Sequence, residues 1–331
     1  MTNINKIRKI LVDMIKVADY HSIKIKDLGY DDEFIEYLLF DVNKNNKKNF
    51  AKKIVKVLDK IDFSGVSFDN FYCESYDFSN LYGVCINPQT VAYKDLSNAI
   101  LKNVKFIGPF DDVNIKGADF KGSTGAKINP QTILLKSLMD TKLSDVEFIG
   151  PFDDVTIWSA DFTGSTGAKI DPRKIAYNFY NVKLSGVEFI GGFEEVYIKS
   201  SDFKGSKKAK INPQTILHKS LIDVKLCDVE FIGPFDDVDI CRADFTGSKG
   251  AKIDPQKVSG KDFYKTILTD AEIIGSFEGI RIKEKQLIGT NCDSLNSKLY
   301  GDLVIKRTNY QEDEFKNKIL KLTNRNYMPK K

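Results

Sequence analysis

Two histidines, five cysteines and a repeated pair of acidic residues are the side chains of this 331-residue chain whose types could do chemistry. A metal centre needs His, Cys or carboxylate ligands at short, matched spacings. His21 and His218 have no such partners. His218 lies between the apolar positions Ile216 and Leu221, which places it on the surface. The five cysteines are odd in number and irregularly spaced, so they make no disulfide framework and point to a reducing, cytoplasmic setting. The acidic pairs are Asp111-Asp112, Asp153-Asp154, Glu194-Glu195 and Asp236-Asp237, each just after a Phe. Stacked along one edge, they would form an acidic docking stripe for a basic partner, or weak cation sites. As solvated corners, they would instead discourage edge pairing. No glycine-rich phosphate loop and no nucleophile elbow occurs. The expectation is a protein with no catalytic residues, no cofactor and no metal site.

What must position the acidic pairs is a repeat. Phe106-Ile-Gly-Pro-Phe110 recurs at 148–152, as Phe189-Ile-Gly-Gly-Phe193, at 231–235, and as Ile273-Ile-Gly-Ser-Phe277, at separations of 42, 41, 42 and 42 residues. Ile128-Asn-Pro-Gln131 is matched at 86–89, 170–173, 211–214 and 253–256. Within a repeat, large apolar residues fall at Ile128, Ile133, Leu138, Leu143 and Phe148, a step of five. A helix would step by three or four, and a strand by two. A step of five describes a chain that turns a corner every five residues and sends one large side chain inward from each short side. Continuing through Phe152, Ile157, Phe162 and Ile170 gives eight sides, or two turns of a four-sided coil. A short step at Ile149-Gly150-Pro151 reads as a tight corner, and a long step at Gly164–Gly167 reads as a loop bulging outward. The expected interior centres include Phe106, Ile128, Leu143, Phe148, Phe162, Phe189, Phe203, Phe231 and Phe245. Aromatic and aliphatic centres should alternate from coil to coil. The third repeat slips by one residue near Phe179 and Tyr180.

Ala160-Asp161-Phe162-Thr163-Gly164 and Ala118-Asp119-Phe120-Lys121-Gly122 follow the order small, polar, large apolar, polar, polar. This unit resembles that of the pentapeptide-repeat proteins, over about residues 58 to 292. The resemblance implies a mainly β fold, a right-handed four-sided parallel β-helix. The five-step, counted from Phe63 to Cys292, makes about eleven coils in 42-residue double-coil repeats. At roughly 4.8 Å per strand, that is a rod of about 50 Å.

Residues 61–292 are therefore expected to form the β-helix, residues 1–60 a helical N-terminal cap or head, and residues 293–331 a C-terminal capping segment with one helix. The first 60 residues show helical apolar faces at Ile4, Ile7, Leu11 and Met14, at Phe34 and Leu38, and at Phe50, Ile54 and Val57. Phe315, Ile319 and Leu322 mark the C-terminal helix. Residues 1–60 and 291–331 each carry a net charge of +4, and the stretch between them −4. The N-terminus is not a signal peptide and no apolar run is long enough to cross a membrane.

The function expected from these features is a non-catalytic β-helical scaffold that binds another macromolecule, a protein partner rather than nucleic acid. By the family resemblance, one alternative is a DNA mimic that binds a type II topoisomerase and protects it from drugs, and a homodimer through the C-terminal cap is possible. A further alternative makes the N-terminal helices the active part, as a targeting or effector module. The line of Lys127, Lys169, Lys210 and Lys252 predicts a surface of mixed sign.

Overall fold

The computed structural model describes residues 23–24 and 61–291, apart from 66, 80 and 281. The helices expected at both ends of the chain lie outside the described residues. Within residues 1–60 the described piece is a strand, Ile23–Lys24, paired parallel with Ile61–Asp62.

The fold is a parallel β-solenoid with little helix. Its contacts divide into two compact units, Met1–Thr156 with Ala160–Ala168, and Ile157–Ser159 with Lys169–Lys331. In the first, Cys85–Ile86 pairs with Lys105–Phe106 and Lys127–Ile128 with Glu147–Phe148. In the second, Lys169–Ile170 pairs with Glu188–Phe189, Ala209–Ile211 with Val229–Phe231, and Lys252–Ile253 with Glu272–Ile273. Every pairing is parallel, and isolated parallel bridges such as Ile100↔Asp119 and Lys142↔Asp161 continue the ladder between them.

Ile86 therefore stacks on Phe106, Ile128 on Phe148, Ile170 on Phe189 and Ile211 on Phe231. All nine interior centres named above are buried. Around each repeated Phe the second Phe of the same motif and one from further along the coil close a triangle of rings. Phe148, Phe152 and Phe162 have centroids 5.1, 5.6 and 5.9 Å apart. Phe231, Phe235 and Phe245 repeat the figure at 5.0, 5.7 and 5.6 Å. Tilted rings at this range gain about 0.5–1.5 kcal/mol beyond the area they bury. The intervening coils are mainly aliphatic, but Phe179 and Phe263 are buried in them, and the Phe179 ring lies 5.9 Å from Phe189 and 6.0 Å from Phe193, so the alternation is not strict.

The long step does not bulge outward. Lys105 bridges Thr124, while Lys127, three residues on, pairs with Glu147. Ser123, just before the bridge, and Ala126, just before the pair, are both buried, so the chain dips inward twice across the insertion. Gly125 allows this with φ +73°, and a Cβ there would lie 2.6 Å from the Phe106 carbonyl oxygen. The short helical pieces are single 3-10 turns, at Ala92–Lys94, Leu134–Lys136, Pro172–Lys174, Leu217–Lys219, Ser259–Lys261 and Glu284–Gln286.

Candidate docking site

The two repeated motifs meet. In the first unit the Asn129 side-chain oxygen accepts the Gln131 amide at 3.1 Å, closing a turn. The Gln131 side-chain amide then reaches the next coil and donates to the carbonyls of Pro151, at 3.3 Å, and Asp153, at 2.6 Å. Gly150 passes directly over Asn129, and a Cβ there would sit 2.1 Å from Asn129 Oδ1. Gln89 grips Pro109 and Asp111 in the same way. In the second unit Gln214 grips Pro234 and Asp236, and Gln256 grips Ser276 and Glu278. Ile-Asn-Pro-Gln and Phe-Ile-Gly-Pro-Phe are two halves of one lock between neighbouring coils. The Gly in the corner is required by close approach, not only by a tight turn.

This lock places the acidic pairs. Asp111, Asp112, Asp154, Glu194, Glu195 and Asp237 are exposed, while Asp153 and Asp236 are half-buried. Asp112, Asp154, Glu195 and Asp237 have φ near +58°, at 57, 59, 59 and 58°. Asp tolerates that left-handed conformation better than most residues, which gives part of the pattern a backbone cause. The backbone amides of Asp112, Glu195 and Asp237 donate to Thr132, Thr215 and Lys257 one coil on. Asp236 lies 3.7 Å from Lys257 Nζ, and Glu194 lies 4.0 Å from Arg173.

Four residues before the first residue of each acidic pair stands an exposed isoleucine that the five-step leaves unassigned. Ile107 and Ile149 in the first unit, and Ile190 and Ile232 in the second, are between 60 and 63% exposed; Ile274 recurs at 55% in the fifth repeat, where Glu278 alone follows. The lysine line is not free. Lys127 pairs with Glu147 at 3.0 Å, Lys210 with Glu230 at 3.0 Å and Lys252 with Glu272 at 3.4 Å. Lys169 stands opposite Glu188 in the same register, but Glu188 pairs with Lys208, so the edge is neutralised at three of its four lysines.

Five-residue steps stacked by parallel pairing are the arrangement that the resemblance to pentapeptide-repeat proteins implies. No protein-family model matches the sequence, and no curated protein matches it. Among solved structures the solenoid is similar to HetL, a pentapeptide repeat protein involved in heterocyst differentiation regulation from the cyanobacterium Nostoc sp. Strain PCC 7120. The two share 13% identity over 60% of this chain and 81% of that one, with a TM-score of 0.27. It is also similar to full-length QnrB1, a plasmid-mediated fluoroquinolone resistance protein, at 14% identity over 60% of this chain and 86% of that one, with a TM-score of 0.15.

Among the described residues no group of three or more His, Cys or carboxylate side chains is placed to hold a metal ion, and no helix is long and apolar enough to cross a membrane. Cys73, Cys85, Cys227 and Cys241 are free thiols. Burial raises the pKa of Cys73, with the nearby Asp95 charge adding to it. His218 is exposed, with φ +59°, and its ring meets Tyr197 at 6.3 Å. The sequence reading missed one cluster, in the second unit. Trp158 has its ring 5.7 Å from Tyr177 and 5.9 Å from Tyr180. The signal was present, since the chain's single Trp falls beside two Tyr at the repeat that slips by one residue.

Proposed function

We propose that this chain is a non-catalytic scaffold that binds a protein partner through the sides of a β-helix. The path expected is a right-handed, four-sided one of about eleven coils, capped by helices at both ends, in a cytoplasmic protein. The observation that carries the reading is the corner of four of the five repeats, where an exposed Ile comes just before an acidic pair. An exposed apolar side chain at the same place in every repeat contributes nothing to the core, and recurrent apolar exposure marks an interaction surface. Its acidic neighbours select a basic partner by steering and by charge complementarity. The alternative of a DNA mimic needs uncompensated negative charge. The Lys–Glu ladder neutralises an edge in each unit, so the acidic corners favour protein docking over mimicry.

The test is affinity capture from a bacterial lysate by the full chain, with mass spectrometry of what is bound. Replacing Asp111, Asp112, Asp153 and Asp154 by Lys should abolish capture of the specific partners. Undiminished capture would remove the acidic corners from the reading. Turnover of a small substrate that a surface substitution abolishes would sink the scaffold itself. A chain starting at Leu58 that captures nothing would move binding to the N-terminal segment. Inhibition of DNA gyrase supercoiling at micromolar protein would restore the mimic.

A further inference from the structure

The Trp158 cluster is not part of the corner described above, and it is not core. Trp158 is 37% exposed and Tyr177 73%. The Trp158 indole N–H donates to the Tyr177 carbonyl at 3.3 Å, so the ring is held in one orientation. Backbone hydrogen bonds carry the row onward coil by coil. The Ser159 amide donates to Tyr180, the Asn181 amide to Lys199, and the Ser200 amide to Ile222. The row thus runs from an aromatic cluster to a cation, Lys199, and on to Ile222, with Lys219 three residues before Ile222 in the chain. Neither lysine has an ion pair among the described residues. The nearby carboxylate of Asp223 is engaged by Arg242, whose Nη2 lies 2.7 Å from Asp223 Oδ2.

Rigid Trp and Tyr side chains that keep exposed apolar area are the anchors around which protein interfaces are built. They lose little conformational entropy on binding, because the indole is already pinned. The charge next to this cluster is that of Lys199, with Asp223 near it but held by Arg242, so the balance is positive and opposite in sign to the corners. We propose that the row led by Trp158, Tyr177 and Tyr180 docks an acidic peptide segment of a partner protein. An apolar side chain of that segment packs on the aromatic cluster, and its carboxylates face Lys199 and Lys219. This surface rests on the partner-binding reading above and adds to it a second partner chemistry.

The chain's only Trp reports directly on the site, so the unmodified full-length protein can be used. The probes are two 12-residue peptides without Trp, one carrying Leu and Phe among Glu residues and the other with Lys in place of Glu. An oligo-dT strand is the third probe. The acidic peptide should blue-shift Trp158 emission, protect it from acrylamide quenching and bind at least tenfold more tightly than the basic peptide. Lys199→Glu with Lys219→Glu, both on surface side chains, should reverse that preference. Equal or tighter binding of the basic peptide would overturn the proposal. So would quenching by oligo-dT alone, which would assign the row to single-stranded nucleic acid. If emission ignores all three probes while the acidic-corner variant still loses its captured partners, this row is not a docking surface and the scaffold reading stands. If both are silent, both fall.

Discussion

Two corners of the second unit perform the same turn with different parts. At Asn212–Gln214 the Gln side chain leaves its own coil and holds two carbonyls of the next, across Gly233-Pro234. At Asp171–Arg173 the side chain turns back. Arg173 Nε and Nη2 each lie 3.1 Å from Asp171 oxygens, and the facing corner is Gly191-Gly192 in place of Gly-Pro. Both corners keep the close glycine, since a Cβ at Gly191 would lie 2.2 Å from Asp171 Oδ1 and one at Gly233 would lie 2.3 Å from Asn212 Oδ1. Close approach is therefore indispensable to this fold, and the inter-coil clamp is not. The Arg173 corner exchanges two hydrogen bonds to a neighbouring coil for a local ion pair with Asp171 and a long, 4.0 Å contact with Glu194 of the facing corner. Its proline, which would restrict the unfolded chain, is also missing.

The deepest test bears on the register that both corners share. Phe162→Asp places a charge at a fully buried position, whereas Thr163→Asp changes an exposed one. The first should cost several kcal/mol, on the order of 3–5, and the second within about 0.5 kcal/mol. Equal melting temperatures would undo the inward assignment on which the comparison depends. Next in size, Gln214→Ala strands two carbonyls and should cost about 1–2 kcal/mol. Arg173→Ala removes only an exposed pair and should cost under about 1 kcal/mol. Urea midpoints of the two variants separate them, and identical losses would mean that the clamp adds nothing.

A graft runs the comparison backwards. Arg173→Gln with Gly192→Pro rebuilds the lock in the third repeat and should raise stability by about 0.4–1 kcal/mol from the proline alone. Lower thermal stability of the double variant would show that the slipped repeat cannot accept the clamp. The smallest effect is a pH dependence. Hydrogen bonding to Arg173 holds the Asp171 carboxyl below its ordinary range. A group depressed in the folded state stabilises above its unfolded pKa and loses that contribution as pH falls through the folded value. Acid unfolding should therefore shift slightly when Asp171 is replaced by Asn, and should not shift for Asn212→Ala, which has no charge to lose.

Much of this was legible in one dimension. The step of five is visible because each coil side admits a single large side chain, so Ile128, Leu143 and Phe148 declare the interior without any contact being known. The clamp was not legible. Gln131 and Pro151 stand twenty residues apart, and only the parallel register of Lys127 on Glu147 brings them together. The long step was misread for a related reason. Gly164–Gly167 has the composition of a loop, yet Ser165 and Ala168 are both buried, because the insertion sends small side chains inward. The lysine line read as one sign of a mixed surface, and its pairing with Glu147, Glu230 and Glu272 was hidden because those partners lie in other coils. At the candidate site the acidic pairs could be read off directly, being contiguous in sequence. The isoleucines beside them could not, since an apolar residue off the five-step carries no signal until its exposure is known.

The lock between Asn-Pro-Gln and Gly-Pro also sets how such a chain can change length over generations. Each half is encoded apart from its mate, and the two recur together at intervals of 42 residues in three of four cases. Recombination between misaligned copies of a repetitive gene would insert or remove a whole interval. The new segment would then arrive carrying a matching half for the neighbour on either side. Growth by single codons would separate the halves, while growth by whole units renews them, so the length of this protein is quantised by its own coil-to-coil fastening.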